Sequence, residues 1–340
     1  MPKVTVVIPN YNHAQFLDQR IESVFAQTYQ DFELLLLDDA STDDSRAILN
    51  RYAEDPRVRT IYNETNSGSP FKQWNKGVQE ASGEYIWLAE ADDYAAPNLL
   101  ETLVAELSHN PSVGVAYCHS LYVDKNDQIL GDAEYTVLDS GKERWTTSFV
   151  CEGRLECSNY LPLQCTIPNA SAALFRKEIY VQAGYADETM QMCGDWQMWI
   201  KMLLISDLSF IADPLNYFRR HSGSVSSRAD RSGVFAEETY RIYEYVSNAV
   251  ELSPKMIDVC GRVFLKRWLS SSVSRKDKIS WKRSMAIYSV AMRADRGLKR
   301  RLPKALAIVC LKRLNLFNTT LLIAKALRTS WPNFPASISQ

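Results

Sequence analysis

The chain lacks most of the signals by which a sequence declares its class. It contains no continuously apolar run of about 18 residues, so no ready-made spanning helix is expected. The N-terminus enters an apolar, strand-length segment at residues 4–8, far too short for the apolar part of a secretory signal. Seven cysteines (118, 151, 157, 165, 193, 260 and 310) include no Cys-x-x-Cys pair. An odd count at loose spacing argues against a disulfide framework or a zinc site, and for free, mostly buried thiols in a reduced compartment. Pro9-Asn-Tyr-Asn-His13 follows the first apolar segment without a glycine, which removes the Gly-x-Gly-x-x-Gly turn of nicotinamide-binding folds. A Walker-type phosphate loop and internal repeats are missing too.

What remains is an ordinary globular composition, 46% hydrophobic and 23% charged over 340 residues, with room for one large domain or two smaller ones. The net charge of −1 hides an asymmetry. Residues 1–230 carry 18 Lys/Arg against 33 Asp/Glu, whereas residues 231–340 carry 21 against 7. An acidic domain at 1–230, a basic helical region at 231–330 and a loose tail at 331–340 follow from this shift.

Periodicity gives strands at 4–8, 32–37, 58–62 and 85–89, alternating with helices at 14–27, from Ser41, Asp43 and Asp44 through Tyr52, and at 73–81. Strand–helix alternation at this spacing is the grammar of a doubly wound α/β sheet, whose ligands bind beyond the carboxyl ends of the strands. Further strands are read at 113–118, 120–123, 171–176, 208–212 and 215–219, with a turn at 124–127. Helices are read at 178–183 and from Gly194-Asp195 onward. Residues 131–168 resist assignment and read as a variable insert, and 222–232 as a loop able to close over a ligand. No element is read between Asp93 and Val113.

The most informative stretch is Tyr85-Ile-Trp-Leu-Ala-Glu-Ala-Asp-Asp93, a buried strand ending in three carboxylates. Such a cluster costs stability unless a cation sits among its members. Oxygen ligands in a short turn suit Mg²⁺ or Mn²⁺.

These residues belong to an ordered set: Val6-Val-Ile-Pro-Asn-Tyr-Asn12, Leu37-Asp-Asp-Ala-Ser-Thr-Asp43, Asn66-x-Gly68, Asn75-Lys-Gly77, residues 81–93, Ala183-Gly-Tyr-Ala-Asp-Glu188, Gly194-Asp-Trp196 and Tyr217-Phe-Arg-Arg-His-Ser-Gly-Ser224. Over roughly residues 3–225 the set resembles the inverting, nucleotide-sugar-dependent glycosyltransferases of family 2, with their GT-A fold: a mixed sheet flanked by helices, here followed by the basic helical region. The resemblance implies nucleotide-sugar contacts from Pro9, Tyr11, Asp39, Gly68, Lys72, Asn75, Glu90 and Asp92, and a metal held by Asp92, Asp93 and His221. It implies Asp195 as general base. Where family members usually have Asp, this chain has Glu90, which fits indirect support or a ribose contact as well as ligation.

Bland roles stand beside these. Asp195 at a helix start is also an N-cap, a placement that stabilises its anion and argues against a raised pKa. Trp196 and Trp199 read as core, with Trp196 also a candidate for stacking on the acceptor. His13, His109 and His119 read as filler. The expected activity is metal-dependent, inverting transfer of a sugar from a nucleoside diphosphate to a saccharide or lipid-linked acceptor. A non-catalytic sugar-nucleotide-binding or assembly subunit is the rival, and a nucleotidyltransferase is weakened by the missing glycine-rich loop.

Residues 255–328 hold 19 Lys/Arg against 3 Asp/Glu and read as helices, with others at 235–250. They either pack an apolar stripe on the core or lie on an anionic membrane through 298–328. No nucleic-acid motif accompanies the charge. The expected location is cytoplasmic, and at the inner face of the plasma membrane in the second of these two cases.

Overall fold

The computed structural model describes residues 2–132, 142–221, 233–273 and 279–313. In chain order its main elements are β1 (Val4–Asn10), α1 (Ala14–Phe25), β2 (Phe32–Asp38), α2 (Ser45–Tyr52), β3 (Val58–Tyr62), α3 (Pro70–Glu80), β4 (Tyr85–Leu88), β5 (Tyr94–Ala95), α4 (Leu99–His109), β6 (Val113–Val123), β7 (Ile129–Asp132) and β8 (Phe149–Cys151). There follow α5 (Gly153–Asn159), β9 (Ala173–Arg176), α6 (Lys177–Gln182), α7 (Gly194–Leu203), β10 (Asp207–Arg219), α8 (Val234–Ala249), α9 (Pro254–Val273), α10 (Trp281–Ala294) and α11 (Leu298–Arg313).

The strands form one sheet in the order β3-β2-β1-β4-β9-β6-β10-β5, with β7 on β6 and β8 on β10. β3, β2, β1 and β4 run parallel, and β9 then enters antiparallel between β4 and β6. Side chains alternate across the parallel half. Val6, Ile8, Leu34, Leu36, Tyr85 and Trp87 face a core covered by α1, α2 and α4. Val7, Leu35, Leu37, Ile86 and Leu88 face the other core, under α3 and α7. Burial on both faces is why these strands read as continuous apolar runs.

Two glycines set how closely helices approach. A Cβ on Gly77 would lie 2.4 Å from Val7 Cγ1, so α3 rests directly on β1. A Cβ on Gly194 would lie 2.6 Å from the Phe71 ring, so the start of α7 abuts α3.

Where two strands are read at 208–212 and 215–219, the structure has one strand with register shifts around Pro214, a bulge that accommodates a residue without an N–H. Likewise 113–123 is continuous, and α4 fills the gap after Asp93. The basic region builds a small core of its own from Tyr240, Tyr243, Phe264, Trp268, Ile287 and Leu298, meeting the main body at Leu163. α8 belongs to both bodies, because Ile242 and Val246 enter the main core. Among the described residues no helix is long and apolar enough to cross a membrane. The loop 222–232, the tail and residues 314–328 lie outside the described residues.

Candidate active site

The loops that follow β1 and β2 are tied to one another. Asn12 sits at φ 61° and its side chain accepts from Thr42 N at 2.7 Å, while its own N–H donates to Ser41 Oγ at 2.9 Å. Asp43 accepts from Ala14 N and from Ser45 N, both at 3.0 Å, and so serves the starts of α1 and α2 together. Asp38 is buried and held by Asn10, Ser41 and Arg46.

Asp39 is buried too, and its carboxylate accepts from Asn63 Nδ2 (2.6 Å), Ser67 N (2.9 Å), Ser67 Oγ (2.7 Å) and Gln73 Nε2 (3.0 Å). The loop after β3 therefore wraps around it. In that loop Gly68 has φ 72°, and a Cβ there would meet nothing closer than 3.9 Å, so backbone conformation demands glycine rather than space. Lys72 Nζ donates to Ser67 O at 3.2 Å and stays exposed. Tyr11 is 45% exposed beside buried Pro9.

At the end of β4 the three acids separate in role. Glu90 accepts from Trp74 Nε1 at 2.8 Å, and its backbone N–H donates to Ser171 Oγ at 3.0 Å. Burial, then the Asp92 charge, push its carboxyl up to about 8. Asp93 is buried with both oxygens engaged, one by Asn169 Nδ2 and the other by Arg219 N at 2.9 Å, and burial with the Asp92 charge raises it to about 7. Asp92 differs. Burial would raise its carboxyl, but a 2.9 Å hydrogen bond with His221 Nε2 and the charges of His13 and His221 outweigh that, and the net shift is downward.

Two arginines the sequence reading did not single out supply positive charge here. Arg219 donates to Asp92 O and to Gln19 Oε1, both at 2.7 Å, and pairs with Asp127 at 2.7 Å. Arg20 is 0% exposed beneath the acids, its guanidinium 4.7 Å from the Trp87 ring centre. Burial lowers it to about 10, while the Asp93, Glu90 and Asp92 charges favour its ionised form. Part of the cation demand of the acidic cluster is thus met by the protein itself.

Donor atoms of His13, Asp92 and His221 lie within 4.8 Å of one another. Asp93 is not part of this group, because its lone pairs point into Asn169 and Arg219. His13, read as filler, is part of it. It occupies the N-terminal boundary of α1, and its ring meets His221 edge-on with centres 6.0 Å apart. Only its position beside the first strand's end could have flagged it. Two imidazoles and one carboxylate come together where Asp92, Asp93 and His221 are the expected set, so His13 stands in the place given to Asp93. That mixture fits a divalent transition ion such as Mn²⁺ better than Mg²⁺, which prefers oxygen.

Asp195 is the second residue of α7 and accepts from Trp196 N at 2.7 Å through Oδ1. Its carboxyl is raised to about 6, chiefly by burial and further by the Glu238 charge. Its place at the helix start favours the anion, and burial overrides that. Asp195 and the acidic rim share a wall. Gly194 presses on Phe71, Phe71 packs edge-on to Trp74 at 5.3 Å, and Trp74 holds Glu90. Residues 165–171 close the same gap: the Cys165 thiol donates to Ile167 O and feels the Asp195 charge, Asn169 holds Asp93, and Ser171 holds Glu90 N.

Two expected ligand contacts fall elsewhere. Asn75 is buried and spends its amide on protein, donating to Ala186 O (3.0 Å) and Glu188 Oε1 (2.9 Å) and accepting from Ala186 N (3.0 Å) and Tyr180 OH (2.8 Å). Trp196 is 4% exposed with Nε1 donating to Leu161 O at 2.9 Å, so it is a core residue and offers no face to an acceptor.

Comparison with known proteins adds to this geometry. A family model described as glycosyl transferase family 2 matches residues 5–181. The glycosyltransferase GlyG of Streptococcus pneumoniae serotype 4 is 29% identical over 238 residues, covering 65% of this chain and 72% of that one. The fold is similar to that of S. aureus TarS, residues 1–349, solved with UDP-GlcNAc, at TM-score 0.64 and 20% identity over 86% of this chain and 81% of that one. It is also similar to the mannosyltransferase PcManGT from Pyrobaculum calidifontis, solved with GDP-Man and Mn²⁺, at TM-score 0.54 and 17% identity over 98% and 88%.

Proposed function

The chain belongs to glycosyl transferase family 2, and we propose that it is a metal-dependent, inverting member, with Asp195 as the base that receives the acceptor's proton. The observation that carries this reading is a half-buried carboxylate, raised to about 6, that shares the Phe71–Trp74 wall with the acidic rim.

A donor with a nucleoside diphosphate would lie over the ends of β1, β2 and β3. Tyr11 offers an exposed ring beside Pro9, Asp39 is held rigid by its four donors, Gly68 shapes the loop, and Lys72 stands ready for a phosphate. His13, Asp92 and His221 would hold the divalent ion, which when bound neutralises charge on the departing diphosphate. PcManGT, solved with GDP-Man and Mn²⁺, is consistent with both the donor class and the choice of ion. Glu90 and Asp93 act from behind, through Trp74, Asn169 and Arg219.

The acceptor hydroxyl would give its proton to Asp195 Oδ2, since Oδ1 is taken by Trp196 N. A base near pKa 6 is ionised at neutral pH yet basic enough to share a proton in the transition state. With one base on the acceptor side and no step that needs a glycosyl-enzyme, attack opposite the leaving group inverts the anomeric centre. The acceptor is proposed to be a saccharide or a lipid-linked glycan.

A panel of sugar nucleotides screened by thermal shift, with and without Mn²⁺, tests donor and metal together. Stabilisation by one nucleotide sugar only when Mn²⁺ is present supports the reading. A shift independent of any divalent ion removes the metal from it.

A further inference from the structure

We propose that Glu238, on the first helix of the C-terminal region, is the positioning residue for Asp195: its carboxylate gathers the backbone amides just ahead of the base and fixes where α7 begins. This deepens the reading above and rests on it only for the chemical consequence.

The start of a helix leaves its first N–H groups without intrahelical partners. α7 receives no side-chain cap from its own boundary residue, Cys193. Glu238 supplies the anion from a distant helix. It is 3% exposed, and it accepts from Gln191 N at 2.6 Å, Met192 N at 3.0 Å and Cys193 N at 2.8 Å. Negative charge is favourable at this end of the helix dipole. One turn further along α8, Arg241 Nη2 donates to Asp187 Oδ2 at 3.0 Å and to Thr189 Oγ1 at 2.9 Å. Residues three apart share a helix face, so one side of α8 grips the whole approach to the base. From the other side, Asn75 and Glu188 clamp the same loop to α3.

A neutral acceptor would suffice to tether amides. A carboxylate does more, because its charge falls on Asp195. The titratable groups electrostatically coupled to Asp195 are Glu238 from α8, the Cys165 thiol from the 165–171 segment and the Cys193 thiol at its own helix boundary, while Arg267 of α9 acts on Cys193. Burial raises both thiols well above the usual cysteine range, which leaves them neutral. Among these neighbours Glu238 is therefore the one that brings charge to Asp195, and it makes the base stronger. The helical region is by this account a working part of the site.

The test uses Glu238→Gln, which keeps shape and loses charge, beside Glu238→Ala, in the full chain. Amide hydrogen exchange should show lost protection at residues 191–193, more in the Ala variant than in the Gln variant. For Glu238→Gln the acid limb of the kcat/KM profile should move to lower pH by about half a unit or more. Its kcat should fall while the donor KM holds. Wild-type exchange at 191–193 in both variants overturns the tether. Lost protection with an unmoved acid limb overturns the effect on the base and leaves Glu238 an anchor. Turnover that persists in Asp195→Asn sinks the base assignment alone, and the exchange measurement still decides the tether.

Discussion

At the scale of single residues, the site separates carboxylates that do chemistry from carboxylates that hold structure. Asp195, the proposed base, is assigned to the first kind. Its carboxyl titrates near 6 in the fold against 3.8 for the free side chain, so the folded state binds that proton more tightly. Its contribution to stability is therefore full below about 3.8 and is lost as pH rises through about 6. Asp195→Asn removes the penalty at pH 8, worth at most about 3 kcal/mol, and should raise Tm by a few degrees there, with the gain fading towards pH 4. The same variant should cut turnover by about 10²–10⁴-fold with donor binding intact, as a lost general base does. Wild-type kcat/KM should in turn fall away below pH ~6. Melting scans at several pH values and initial rates check both halves. His13 and Asp93 form a second contrasting pair. His13→Ala should weaken Mn²⁺ binding in calorimetry by roughly 10-fold or more and leave Tm unchanged. Asp93→Ala should lower Tm by several degrees, because it strips acceptors from buried Asn169 and from Arg219 N.

At the scale of elements, the apolar runs and their polar ends were legible because a strand buried on both faces leaves a simple mark. β1, β2 and β4 run directly into residues read as ligand contacts, and β3 reaches Gly68 and Lys72 only through its loop. The reading misplaced Asn75 and Trp196, since both lie in motifs whose neighbours are functional while they themselves turn inward to Ala186 and Leu161. His13 and Glu238 were illegible for a different reason: each acts across more than forty residues of sequence, on Asp92 or on residues 191–193, and no local pattern records it. α4 is plainly amphipathic, with Leu99, Leu100, Leu103, Val104 and Leu107 buried, yet no element was read there. The closest approach between elements yields its own prediction. Gly194→Ala would drive a methyl to 2.6 Å from the Phe71 ring and so tilt the start of α7 away from the rim. A cost of about 1–3 kcal/mol is expected from such overpacking. It should be relieved by adding Phe71→Leu, and a double-mutant cycle of Tm and kcat measures the coupling.

At the scale of the whole molecule, the charge asymmetry poses a question the fold half answers. The basic region is not a loose strap, because Leu298 is fully buried in its core and Arg301 pairs with Asp295 and Asp258. Removing everything from 296 onward would therefore damage packing as well as charge, and a loss of membrane binding in that variant would be ambiguous. Deleting 314–340 instead leaves those contacts in place while taking away Lys325, Arg328 and the apolar segment around Leu321-Leu-Ile323. Exposed cations remain on α10 and α11, beside Trp281, which is 79% exposed, and Leu306. If the region lies on an anionic leaflet, each well-placed cation adds about 1 kcal/mol, so binding should be strong at low salt and fall steeply as ionic strength rises. The full chain should then sediment with vesicles containing phosphatidylglycerol and not with neutral ones. The 314–340 deletion should sediment less while keeping its Tm and its turnover on a soluble acceptor. Equal sedimentation of the two chains would place the contact on α10 and α11 rather than beyond residue 313. A full chain that ignores anionic vesicles at low salt would mean that the cations serve only solubility, and the acceptor would then have to reach the enzyme in water.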